Sequence, residues 1–156
     1  MQHDFYLKKA FEIAFDGIRK NQGGPFGAVI VKEGKIIAAG ANQVTSSNDP
    51  TAHAEIVAIR EAGKVLENFD LSDTVLYTTC QPCPMCLSAI YWAKIPTIYY
   101  CSTREDAEKI GFADNHIYNE LDIKLENITK QLIQLPSELG EQLFNEWTQK
   151  ADKIDY

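Results

Sequence analysis

The chain has 156 residues, 45% of them apolar and 24% charged, a length that suits one compact domain and leaves no room for a second. Its 15 Lys and Arg against 22 Asp and Glu give a net charge of −7, which disfavours nucleic acid as a partner. No apolar run approaches the roughly 18 residues of a membrane span, and the first residues lack a basic stretch followed by an apolar one, so a cytoplasmic protein is expected. A chain of this size builds an adequate core without disulfides. Its four cysteines are therefore expected to be thiols, metal ligands or catalytic groups.

Leu7, Phe11, Ala14 and Ile18 follow helical spacing and predict an amphipathic helix that Gly23-Gly24-Pro25 stops. Phe26–Val31 and Lys35–Ala39 flank a Glu33-Gly34 turn and read as a β-hairpin. Residues 41–50 are rich in Asn, Ser and Thr and read as a loop. A helical pattern then runs from Thr51 through Ile56, Ile59, Gly63 and Leu66, followed by a strand at Thr74–Thr78. Another helix is expected from Cys83-Pro84 to about Lys94, and a buried strand at Thr97–Cys101. Strands alternating with helices imply an α/β sandwich whose later strands are parallel. In the last third, Glu105–Ile110 is expected as a short helix, Gln131–Leu135 as a short strand and Glu138–Lys150 as a final helix.

The sharpest feature is His53-Ala54-Glu55, followed 30 positions after His53 by Cys83-Pro84-Met85-Cys86. One imidazole and two thiolates hold zinc tetrahedrally and leave its fourth position for water, as a catalytic site requires. Cys80 is near enough in sequence to be a fourth ligand, which would close the site into a structural one. Pro84 is favoured at the first position of a helix, which places Cys83 at the N-cap and turns Cys86 to the same side. Unpaired N–H groups and the positive helix end there favour thiolate. His53 and Glu55 stand about 200° apart on a regular helix, so they converge only if both lie in or just before the first turn. Zinc lowers the pKa of bound water to about 7, and a neighbouring carboxylate can move the released proton to a leaving amine. H-x-E with P-C-x-x-C is the signature of zinc deaminases that act on nucleobases.

The order of an opening helix, a G-G-P-F-G-A-V-I-V hairpin, N-D-P-T-A-H-A-E, T-C-Q-P-C-P-M-C and A-I-Y-W-A resembles the cytidine deaminase superfamily, and within it the small bacterial guanine deaminases. The resemblance covers essentially the whole chain. It implies a three-layer α/β/α sandwich on a five-stranded mixed sheet, in a single domain spanning 1–156, with 140–156 forming a C-terminal helix and an active-site lid. It also implies one zinc per chain and hydrolysis of guanine to xanthine and ammonia, with Glu55 as proton shuttle and His53, Cys83 and Cys86 as ligands. Asn42 would hydrogen-bond the purine edge, Phe26 would form an apolar wall, Asp114 would accept hydrogen bonds from substrate N–H groups or help the departing amine, and Tyr156 would close the pocket. Trp92, about 180° in helical phase from Cys83, would serve a neighbouring subunit of a homodimer. Gln81 stands where many relatives have Glu before P-C.

Each role has a plainer counterpart. By pattern alone Asn42 is a turn residue, Phe26 is core, Asp114 is a helix cap and 150–156 is a frayed tail. Cys80 and Cys101 read as small buried residues. Alternatives to guanine are a tRNA adenosine, which the charge of −7 disfavours, or another free base, nucleoside or aminotriazine; the remaining alternative is a noncatalytic zinc module.

Overall fold

The structure, a computed structural model, describes residues 2–154. Helix α1 (Gln2–Arg19) carries Leu7, Phe11, Ala14 and Ile18 on one stripe and Tyr6 and Ala10 on the next, an apolar face wide enough to cover several strands. Strands β1 (Gly27–Lys32) and β2 (Lys35–Ala41) form the hairpin. Its turn residues Glu33 and Gly34 both take positive φ, 49° and 74°, as a two-residue turn between antiparallel strands demands. There follow α2 (Val44–Ser47), α3 (Ala54–Leu66), β3 (Val75–Cys80), α4 (Pro84–Trp92) and β4 (Thr97–Ser102). The last third holds α5 (Arg104–Lys109), α6 (Asn115–Glu120), a 3-10 turn at Leu125–Asn127, β5 (Gln131–Gln134) and α7 (Glu138–Gln149).

The five strands lie in the order β2-β1-β3-β4-β5. β1 is antiparallel to both β2 and β3, whereas β3, β4 and β5 run parallel, so the sheet is mixed. Side chains alternate across a strand, and β1 serves both faces in this way. Ala28 and Ile30 pack with Ala54, Ala58 and Ala62 of α3 and with Leu87 and Ile90 of α4. Val29 and Val31 turn to Tyr6 and Ala10 of α1. On the α1 side α7 contributes Leu143, Phe144 and Trp147, and Arg19 ties the two helices through paired bonds of 2.7 and 2.8 Å to Glu146. Helices therefore cover both faces, and the layers are α/β/α. Among the described residues no helix is long and apolar enough to cross a membrane.

One close approach sets the height of α3 above the sheet. A Cβ at Gly40 of β2 would stand 2.4 Å from the Ala54 carbonyl oxygen, so only glycine lets the first turn of α3 settle this low. That turn begins three residues later than the sequence pattern suggests. Thr51 N donates to Asp49 Oδ1 at 2.8 Å, an Asx turn that competes with helix formation, and the helix opens only at Ala54. The expected loop over 41–50 includes the single turn of α2. α6 was not legible, because its one fully buried side chain, Tyr118, leaves no apolar period to read.

Candidate active site

The site lies beyond the C-terminal end of β3, where the first turns of α3 and α4 meet, a usual place for ligands beside parallel strands. His53 is the N-cap of α3 with extended backbone, φ −66° and ψ 155°, and Glu55 follows inside the first turn. Cys83 is the N-cap of α4 with Pro84 next to it, and its sulfur accepts from Cys86 N at 3.5 Å. Both junctions match the local geometry expected from the sequence. They bring His53 Nδ1 within 3.6 Å of each sulfur, and one ligand atom from each of His53, Cys83 and Cys86 lies within 4.8 Å of the others.

The donor set suits zinc in its chemistry as well as its spacing. The Cys83 thiol is drawn down to about 4, chiefly by the Cys86 side chain against the opposing effect of burial, and then by His53. Cys86 is pushed the other way by Cys83 and by burial. One thiol of the pair is thus drawn toward thiolate, and the second ionises when a cation sits between them. Burial opposes charging of His53, but the Cys83 sulfur beside it leaves the imidazole raised. Cys80 is not a fourth member. Its thiol donates to the Thr103 carbonyl at 3.5 Å, and among the described residues the ligand group contains only His53, Cys83 and Cys86.

Glu55 is buried, at 6% exposure. Its Oε2 faces Cys86 Sγ at 3.5 Å and its Oε1 accepts from Thr78 Oγ1 at 3.4 Å. Burial, and then the Cys83 sulfur, raise its pKa. A carboxyl so placed can hold a proton beside the metal ligands and release it again.

These residues open into a cavity of about 500 Å³. Asn42, Phe26 and Asp114 line it. Asn42 Oδ1 accepts from Gly24 N at 3.2 Å and Val44 N at 3.1 Å, so the amide NH2 is the end available to donate. A Cβ at Gly23 would come within 2.2 Å of that oxygen, which makes glycine obligatory there. Phe26 meets Phe112 edge-on at 4.9 Å and is both wall and core. Asp114 sits at the N-cap of α6 but makes no capping bond, and burial raises its pKa against the opposing Arg104 charge. Gln81 also lines the cavity, and its backbone N–H bonds the Ser102 carbonyl at 2.9 Å. Trp92 is not brought to the site: it is 86% exposed at the end of α4. Tyr156 lies outside the described residues.

Three side chains escaped the sequence reading. Thr78 supports Glu55 from β3, Tyr118 donates to the Pro82 carbonyl at 2.7 Å just before the first cysteine ligand, and Arg104 lines the cavity. Of these only Thr78 gave a signal, as one of two threonine hydroxyls within a buried strand.

The family model for the cytidine and deoxycytidylate deaminase zinc-binding region matches residues 1–102. The chain is 50% identical to the guanine deaminase of Bacillus subtilis (strain 168) over 100% of both proteins. The X-ray structure of guanine deaminase from Bacillus subtilis superposes with a TM-score of 0.77, covering 100% of this chain and 99% of that one at 49% identity. NE0047 in complex with 2,6-diaminopurine superposes with a TM-score of 0.79 at 26% identity, over 97% of this chain and 83% of that one. A tRNA-specific adenosine deaminase of Buchnera aphidicola subsp. Schizaphis graminum (strain Sg) is 42% identical across 69% of this chain and 71% of its own length.

Proposed function

The chain belongs to the cytidine and deoxycytidylate deaminase family, and on that premise we propose that it hydrolyses guanine to xanthine and ammonia. The observation that carries the reading is the buried carboxyl of Glu55 set against the His53, Cys83 and Cys86 donors, joined to identity with a guanine deaminase along the whole chain. Those three residues hold the zinc, which when bound supplies Lewis-acid activation of water at neutral pH.

The rest is the work of this chain. Glu55 takes one proton from the attacking water and gives it to the ring nitrogen beside C2, then takes the second from the new C2 hydroxyl and gives it to the 2-amino group, so that ammonia leaves as C2 becomes a carbonyl. Its raised affinity for a proton suits a carrier that must both accept and release. Thr78 steadies one carboxyl oxygen. Asn42, its oxygen held by backbone N–H groups, donates to an acceptor on the base. Phe26 lies along the ring as an apolar wall, and Asp114 accepts substrate N–H groups. Tyr156 closes the pocket from the C-terminal end, beyond the core-packed helix α7, and Trp92 serves a second subunit of a homodimer. We place the enzyme in the cytoplasm, in purine salvage or breakdown.

Ammonia release across guanine, adenine, cytosine, guanosine and an aminotriazine, with zinc content measured in parallel, tests the proposal. Guanine is expected to be turned over fastest. Inosine formation in tRNA without guanine turnover overturns it, and a monomer in sedimentation at assay concentration overturns the dimer.

A further inference from the structure

Arg104 opens α5 on the wall of the cavity that also contains Glu55, Asn42 and Asp114. Its guanidinium carbon lies 4.0 Å from the centroid of the Tyr118 ring. That ring is itself fixed, since Tyr118 is buried and its hydroxyl donates to the Pro82 carbonyl. The contact fixes where the guanidinium sits on the cavity wall. One of its donors, Nε, is buried and has no hydrogen-bond partner. Nε is covered by protein, so it is the terminal amino groups of the guanidinium that are proposed to meet a ligand in the cavity.

We propose that Arg104 is a specificity-determining residue that reads the O6/N7 edge of the purine and so selects a base with a carbonyl at C6. The inference rests on the guanine reading given above. An arginine carries only donors, and guanine presents two acceptors, O6 and N7, on one edge; this fork is the commonest specific contact of arginine with guanine in DNA. 2,6-Diaminopurine keeps N7 and the 2-amino group that Glu55 would serve, but it turns a donor toward the guanidinium at C6. The two bases share the scissile bond and differ at the atom Arg104 is proposed to meet.

The test compares steady-state kinetics on guanine and on 2,6-diaminopurine for the zinc-loaded wild type, R104Q and R104K. A bidentate pair discriminates by about 5- to 150-fold. Wild type is expected to show a KM for 2,6-diaminopurine at least roughly fivefold above that for guanine. R104Q should raise the KM for guanine by roughly 10- to 100-fold with kcat nearly unchanged, and should bring the two bases together. R104K, which keeps the charge but not the planar fork, should fail to restore the preference. Equal KM values for the two bases in wild type overturn the proposal even if neither variant folds. So does an equal loss on both bases in R104Q, or a preference rescued by R104K. Wild-type enzyme that leaves guanine untouched removes the functional reading itself, and this assignment of Arg104 with it.

Discussion

Glu55→Gln separates the proton carrier from the metal ligands. Glutamine has the same shape and still offers an oxygen to Thr78 Oγ1, now 3.4 Å from the carboxylate, while the sulfurs and imidazole are untouched. Zinc should remain at one per chain. General acid–base transfer contributes about 10²- to 10⁴-fold, and Glu55 is asked to move more than one proton in the cycle, so the loss of kcat should fall near 10⁴-fold, or about 5 kcal/mol of barrier. A second readout follows from burial, which, with Cys83, raises the pKa of Glu55. A group whose pKa is raised on folding contributes stability that is complete below its ordinary value and is lost as pH rises through the native one. In metal-stripped wild type that loss is present at pH 7 and recovered at low pH; glutamine does not titrate. Stripped E55Q should therefore melt above stripped wild type at pH 7, by about 2–4 °C for each kcal/mol recovered, and the gap should close toward pH 4. Ammonia release, metal analysis and thermal melts at the two pH values read all three quantities. Zinc-loaded E55Q that keeps activity within about tenfold of wild type refutes the role.

The ligand set predicts that Cys86→Ser and His53→Ala lose zinc and activity together, as measured by elemental analysis. Chelation of the wild type should lower its stability in a way that added zinc reverses, by as much as about 4 kcal/mol where free zinc stands a thousandfold above its dissociation constant, read as a fall in melting temperature. Gly23→Ala would place a methyl 2.2 Å from Asn42 Oδ1. Overpacking of this kind costs about 1–3 kcal/mol, and the displaced amide should raise KM more than it lowers kcat. An unchanged KM in a folded Gly23→Ala protein would remove Asn42 from the binding site.

The parts legible in the sequence are those governed by short-range rules. The α1 stripe follows from period, the position of Cys83 from the proline after it, and the junction of His53 and Glu55 from the angle between successive helical residues. The parts that were not legible depend on partners distant in sequence. Asn42 could be named as a site residue, but which end of its amide faces the pocket depends on the N–H groups of Gly24 and Val44. The plain reading of Asp114 as a helix cap was half right: it has the position without the bond. Arg104 and Tyr118 reach the site through a stack between α5 and α6, and no spacing rule joins them. Trp92, expected near the site from resemblance, faces solvent.

His53 and the cysteine pair are separated in the chain by the whole of α3 and β3, yet their ligand atoms nearly touch. An ion held there is a rivet between two helices that no covalent bond joins at that end. Catalytic competence and mechanical closure of this corner are then acquired in one event.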